Sequence, residues 1–163
     1  MGPDIPRRLR SAGLWALEDH VLVSRAVGDP RWALVGGGLE PGESASEACQ
    51  REFREEVGID VRCERLAIVG DIIIRPNGRL AHDVCLYFIV TAVREVRART
   101  SVASRETGLE VGWISLSQLG DAPLVPASLN DLIPRALASE KALYATYDCR
   151  LNPDERAGTS IWP

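Results

Sequence analysis

Residues 36–59 read Gly-Gly-Gly-Leu-Glu-Pro-Gly-Glu-Ser-Ala-Ser-Glu-Ala-Cys-Gln-Arg-Glu-Phe-Arg-Glu-Glu-Val-Gly-Ile. Pro41 and Gly42 interrupt whatever precedes them, so a loop is expected there. Ser44 followed by Glu47 has the spacing of a capping box, in which each residue satisfies a backbone N–H for the other. Glu43 and Glu47 also suit the positive end of a helix dipole. Gly58 is a suitable stop, because the left-handed conformation costs glycine little. The stretch therefore predicts a glycine loop, a helix and a second loop.

The acids of that helix fall in an unusual place. At about 100° per residue, Glu56 lies about 40° to one side of Glu52 and Glu55 about 60° to the other. Ala45, Ala48, Cys49, Phe53 and Val57 share the arc of Glu52 and Glu56, while Glu47, Gln50 and Arg54 take the outward side. Clustered carboxylates facing protein repel one another and are costly unless paired. Arg51 can pair with Glu55 one turn on, but one arginine is not expected to neutralise so many acids. Hard divalent cations prefer clustered oxygen ligands, and Mg²⁺ combines a few carboxylates with substrate phosphate oxygens. Gly36, Gly37 and Gly38 let backbone approach a ligand closely and can turn a carbonyl toward a metal. The bland alternative, a solvated charged face with i,i+4 pairs, does not place acids on the apolar arc.

Gly37, Glu43, Arg51, Glu52, Phe53, Glu55, Glu56, Gly58 and Ile59 fill every position of a pattern that resembles the Nudix box. Trp32 before it and Trp113-Ile114 after it resemble the family's framing. Val35 stands where many members have proline before the paired glycines. The resemblance implies the Nudix α/β/α sandwich with a mixed sheet, an α/β (α+β) fold in which the box is the loop-helix-loop. It implies Mg²⁺- or Mn²⁺-dependent hydrolysis of a nucleoside diphosphate linked to another moiety. A nucleoside triphosphate, cleaved to monophosphate and pyrophosphate, is the favoured substrate. Glu52, Glu55 and Glu56 with the Gly36 carbonyl would hold metal. Arg51 would orient the acids and Glu43 would hold Arg51. A downstream acid, Glu106 or Glu110, would join the metal site or serve as base. Arg25, Gly37, Gly38 and Asn130 are the substrate-binding candidates. The alternative is a Nudix-like module that binds nucleotide with little or no catalysis. An isoprenyl diphosphate isomerase lacks the cysteine and histidine context that reaction wants.

Composition sets the outer bounds. The 163 residues are 45% hydrophobic and 26% charged, which suits one globular domain spanning 1–163 with a real core. The net charge of −4 argues against a nucleic-acid polymer as partner and leaves a small anionic substrate possible through a bound cation. Cys49, Cys63, Cys85 and Cys149 show no metal-ligand spacing, and reduced thiols in the cytoplasm are expected. The longest apolar runs are strand-length, so no membrane partner is expected.

The flanks give a coarser reading. Residues 1–8 read as a loose arm. Leu9 to Ala16 and His20 to Arg25 alternate as two strands of a hairpin turning at Glu18-Asp19. Trp32 to Val35 reads as a short strand entering the glycines. Ile59 to Ile74 and His82 to Val93 read as strands about a Pro76-Asn77-Gly78 turn, the second apolar on both sides and therefore central. Trp113 to Leu116 is a strand and Ser117 to Leu119 a helical turn. Pro126 to Lys141 is a helix with Pro134 inside it. Residues 142–163 have weak periodicity and read as an extension that drapes on the domain, meets a second copy in a homodimer, or is disordered.

Overall fold

The computed structural model describes residues 5–75, 78–97 and 99–151. The elements follow in order: β1 (Arg7–Leu14), β2 (Ala16–Leu17), β3 (His20–Ala26), β4 (Gly36–Gly38), α1 (Ala45–Glu52), β5 (Val61–Ile74), β6 (Ala81–Ala92), β7 (Leu109–Ser115), α2 (Leu129–Leu137) and β8 (Leu143–Asp148). A five-stranded mixed sheet runs β4-β1-β6-β5-β8, and a three-stranded sheet runs β2-β3-β7. As its two-sided apolar pattern predicts, β6 is the middle strand of the larger sheet. It pairs parallel to β1 and antiparallel to β5.

Helices cover the two faces. Ala48, Cys49 and Phe53 from the box helix pack with Trp15, Leu22, Val57, Val61 and Val90. Leu129, Leu132, Ile133 and Ala136 of α2 pack with Ala12, Leu14, Ile68, Ile72, Cys85 and Tyr87. This is the expected α/β/α arrangement. Phe53 is fully buried and meets Trp15 edge-on at 6.4 Å between ring centroids. Burial of such a side chain contributes about 1.5–3 kcal/mol.

Four local expectations are corrected. Residues 7 and 8 are not part of a loose arm: they begin β1, opposite His82 and Asp83, where Arg8 clamps Asp83 with two bonds of 2.7 Å. The expected long hairpin shrinks to β2 against β3, Ala16↔Val21 and Leu17↔His20, because β1 joins the other sheet. Long-range pairing of β1 with β6 satisfies more backbone than a local hairpin would. Trp32 to Val35 is no strand and makes only isolated bridges, Ser24↔Ala33 and Trp32↔Leu124. The strand is instead formed by the glycines, with Ala12↔Gly36, Ser11↔Gly37 and Arg10↔Gly38. Residues 143–148 are a parallel edge strand on β5 and do not drape.

Smaller shifts concern α2, which begins at Leu129 and carries Pro134 inside it. The helical turn after β7 is a 3-10 segment, Leu116–Asp121. Pro76, Asn77, residues 1–4 and residues 152–163 lie outside the described residues. No helix among the described residues is long and apolar enough to cross a membrane.

Candidate active site

The box helix starts as its sequence dictates. Ser44 accepts from the Glu47 N–H while the Glu47 carboxylate accepts from the Ser44 N–H at 2.9 Å, so the capping box is closed. After Glu52 the backbone widens into a π-helical turn, Phe53–Val57, that ends at left-handed Gly58. Such turns displace side chains relative to a regular helix and recur at functional sites. Here the turn carries Glu55 and Glu56. Glu52 and Glu56 are buried and Glu55 is exposed, the order the helical arc predicts.

Arg51 is the hub. Its Nε and Nη2 donate to the two Glu43 carboxylate oxygens at 2.9 and 3.1 Å. Nη1 donates to Glu52 at 2.8 Å and to Glu55 at 3.0 Å, and Nη2 also reaches the Gly38 carbonyl at 3.0 Å. The hydrogen bond from Arg51 holds Glu43 below its ordinary carboxylate range, and the same bond pushes Arg51 upward. One arginine therefore hydrogen-bonds three acids while its single charge offsets only one of them.

Glu56 is treated differently. It is 1% exposed and its Oε2 has no hydrogen-bond partner among the described residues. Burial pushes its pKa up to about 8, and the charges of Glu52 and Glu106 push the same way. The Ser24 hydroxyl and the Gly36 N–H donate to it and oppose the rise. Glu52 is also raised, chiefly by burial, with Arg51 opposing. At neutral pH a guanidinium and a proton thus offset two of the four acids, and the cluster stays net negative.

The glycines are needed for approach. A Cβ on Gly37 would stand 2.1 Å from Glu52 Oε1, so the bare Cα leaves the space that the Glu52 carboxylate occupies. At Gly58, with φ +68°, a Cβ would stand 2.1 Å from Arg105 Nε. The Arg105 N–H donates to the Glu56 carbonyl at 2.7 Å. Arg105 thus lies across the helix end, and its neighbour Glu106 is carried close enough to raise Glu56.

The two downstream acids part company. Glu110 takes the Arg25 Nε at 2.6 Å, and the Arg25 guanidinium sits 4.0 Å from the Trp32 ring centroid. Glu106 is the one brought to the box. Asn130 donates its amide to the carbonyls of Leu119, Gly120 and Ala122, stitching the 3-10 segment to α2, while its Oδ1 is buried without a partner. Sequence reasoning missed Ser24 and Arg10. Ser24 follows Leu22 on one face of β3, and a hydroxyl at an inward strand position was the available signal. Arg10 is 3% exposed in β1, and its charge lowers Glu52. Nothing local marked it, since only the β1–β4 register sets Arg10 opposite Gly38.

The donor set suits a hard cation. Glu52, Glu55 and Glu56 offer oxygen only, and Glu56 holds a buried oxygen with nothing bound to it. As the side chains stand, no three His, Cys, Asp or Glu residues among those described converge closely enough to ligate one ion. Arg51 occupies Glu52 and Glu55, so closing the set would require Nη1 to yield to a stronger charge.

Comparison with known proteins identifies the family and the fold. A family model described as the NUDIX domain matches residues 7–136. The chain is 32% identical over 114 residues to the nucleoside triphosphatase NudI of Enterobacter sp. (strain 638), covering 64% of this chain and 75% of that one. It is 28% identical over 109 residues to the uncharacterized Nudix hydrolase YvcI of Bacillus subtilis (strain 168), covering 67% and 66%. Among solved structures it is similar to a MutT protein from Bacillus halodurans, with a TM-score of 0.67, 21% identity and coverage of 86% and 89%.

Proposed function

This chain belongs to the Nudix family, hydrolases of pyrophosphate bonds, and on that premise we propose that it is a divalent-metal-dependent enzyme acting on a nucleoside diphosphate linked to a further group. A nucleoside triphosphate is the favoured substrate, giving the monophosphate and pyrophosphate. The relative that is a nucleoside triphosphatase supports this choice. The observation that carries the reading is the cluster of three box carboxylates around Arg51, with one Glu56 oxygen buried and unbound.

Glu52, Glu55, Glu56 and the Gly36 carbonyl would hold Mg²⁺ or Mn²⁺. When bound, the ion would neutralise charge on the phosphate oxygens and acidify a water. The chain's own residues do the positioning. Glu43 keeps Arg51 in place through two bonds, so Arg51 holds Glu52 and Glu55 at fixed separation. Glu106, carried by Arg105, takes the proton of the attacking water on its carboxylate. Bare backbone at Gly37 and Gly38 lets the phosphates come close to β4. Arg25, half-buried and stacked on Trp32, exchanges Glu110 for a substrate phosphate. Asn130 uses Oδ1 to accept from a base amino group, its amide nitrogen being committed elsewhere.

The test is turnover of purified protein on nucleoside triphosphates, ADP-ribose and dinucleoside polyphosphates, with and without Mg²⁺. Hydrolysis of at least one substrate, abolished by chelator and by Glu55→Gln or Glu56→Gln, is expected. No turnover on any of them sinks the proposal. A second reading, nucleotide binding without turnover, draws on one fact: Arg51 already occupies Glu52 and Glu55. It would show as thermal stabilisation by nucleotide with no product formed.

A further inference from the structure

Cys49 and Cys63 are distant in the chain and meet in the fold. Cys49 lies on the buried side of α1, immediately before Gln50, Arg51 and Glu52. Cys63 is half-buried near the start of β5. Its Sγ donates to the Ser46 carbonyl at 3.7 Å, one turn before Cys49 on the same helix. Cys63 packs against the buried cluster that contains Cys49, and the two thiols lie near enough to perturb one another. All four cysteines are free, and Cys85 is fully buried among residues that pack with α2 on the opposite face of the sheet.

The pair is unequal. The contact with Cys49 and the donation from Gln50 hold Cys63 below the ordinary thiol range. The same contact, with burial, pushes Cys49 up. A partly exposed thiol that favours its thiolate, beside a buried one that keeps its proton, is the arrangement of an attacking and a resolving sulfur.

We propose that Cys63 and Cys49 form an oxidisable dithiol, a modification site for hydroperoxides, whose disulfide ties the box helix to β5. The Cys63 thiolate attacks a peroxide oxygen: an S–O bond forms, the O–O bond breaks, and hydroxide leaves with a proton as water. The Cys49 sulfur then attacks the Cys63 sulfenic acid: the S–S bond forms, the S–O bond breaks, and the Cys49 proton departs with hydroxide as a second water. Two thiols lose two electrons and one hydrogen peroxide gains them.

The bond has a mechanical consequence. At about 2.05 Å a disulfide is far shorter than a non-bonded sulfur contact. Closing it draws the Ser46–Cys49 turn toward β5, and the adjoining residues are Arg51 and Glu52. Since misplacement by about 1 Å can cost about 10²-fold in rate, the oxidised form is expected to lose at least about tenfold in turnover. This arm rests on the hydrolase reading above; formation of the disulfide does not.

The experiment treats the full chain with a few equivalents of hydrogen peroxide, alkylates it, and maps peptides by mass without reduction. A linked peptide joining Cys49 to Cys63, two hydrogens lighter than its parts and released by dithiothreitol, is expected. Cys49→Ser should stop at a Cys63 sulfenic acid trapped by dimedone, and Cys63→Ser should leave Cys49 reduced. Oxidation at Cys149 with Cys63 untouched, or no trapped sulfenic acid in Cys49→Ser, overturns the proposal. Turnover should fall on oxidation, return with dithiothreitol, and be insensitive in Cys63→Ser. A fully formed disulfide with unchanged turnover overturns the mechanical arm alone. If the reduced protein turns over nothing, the hydrolase reading fails and the peptide map still decides the dithiol.

Discussion

Two of this protein's arginine–carboxylate centres, one in the larger sheet and one in the box, are built on opposite principles. In the sheet, Arg8 meets Asp83 one to one, with both carboxylate oxygens bonded at 2.7 Å and Asp83 1% exposed. In the box, Arg51 is shared among Glu43, Glu52 and Glu55, and a fourth acid, Glu56, is left to a proton. The first centre satisfies every oxygen it buries. The second keeps negative groups together that would separate if stability alone mattered. An excess of acid over available cation is what sets the box apart from the sheet pair.

The comparison can be broken most decisively by neutralising one residue on each side. Glu56→Gln should lower kcat about 10³-fold, within the range of a lost acid–base or charge-stabilising group, while leaving the fold intact. Its thermal midpoint should hold or rise at pH 8, because a neutral amide replaces a group that resists ionisation. Asp83→Ala should do the reverse. Asp83 is buried but Arg8 is 32% exposed, so losing the charged hydrogen bonds should cost about 1.5–3 kcal/mol, and denaturant midpoints should fall while kcat of the folded fraction stays within about threefold. Equal kinetic losses in both variants would erase the distinction.

The pH dependence sharpens it. Folded Glu56 titrates at about 8 against 4.5 for the free group. Between those values the folded state binds the extra proton, so stability falls as pH rises through the window and levels off above about 8. The steepest slope is about 1.4 kcal/mol per pH unit. Glu43, Asp29 and Asp71 are shifted the other way, so their contributions are lost as pH falls below about 4. Stability measured by denaturant should therefore peak near pH 5. Glu56→Gln should flatten the descent from pH 5 to 8, and added Mg²⁺ should do so in the wild type if those carboxylates are its ligands.

The smallest effect expected is at Arg105. Arg105→Ala keeps the backbone N–H that reaches the Glu56 carbonyl and removes the stem over Gly58, so it loosens the placement of Glu106 and should lower kcat by no more than about tenfold, with little change in KM or in Mg²⁺ dependence. Arg105→Lys, which keeps the long stem over Gly58, should recover most of it. A rise in KM at constant kcat would mean that Arg105 serves substrate binding and not the placement of Glu106.

How much of this was legible beforehand follows from the range of the forces involved. The capping box at Ser44 and Glu47, the helix stop at Gly58 and the inward aim of Glu52 and Glu56 all depend on spacing within a few residues. So did the central position of β6, since a strand apolar on both sides must be covered on both. The sequence left Glu106 and Glu110 equivalent because their surroundings differ only through strand register. Pairing of β3 with β7 sets Arg25 opposite Glu110, and nothing near either residue in the chain records that.

From its sequence alone the protein was committed to a capped acidic helix behind three glycines, to two helix-covered sheet faces, and to the chemistry those acids allow. Local propensity and periodicity act along the chain and can be read along it. Only the tertiary structure turned the glycines into a strand, moved β1 out of its hairpin, gave Arg51 three partners and Glu56 none but Ser24 and a backbone N–H. Those outcomes depend on which distant backbone groups pair and which charges are buried beside each other, and burial is a property of the folded whole.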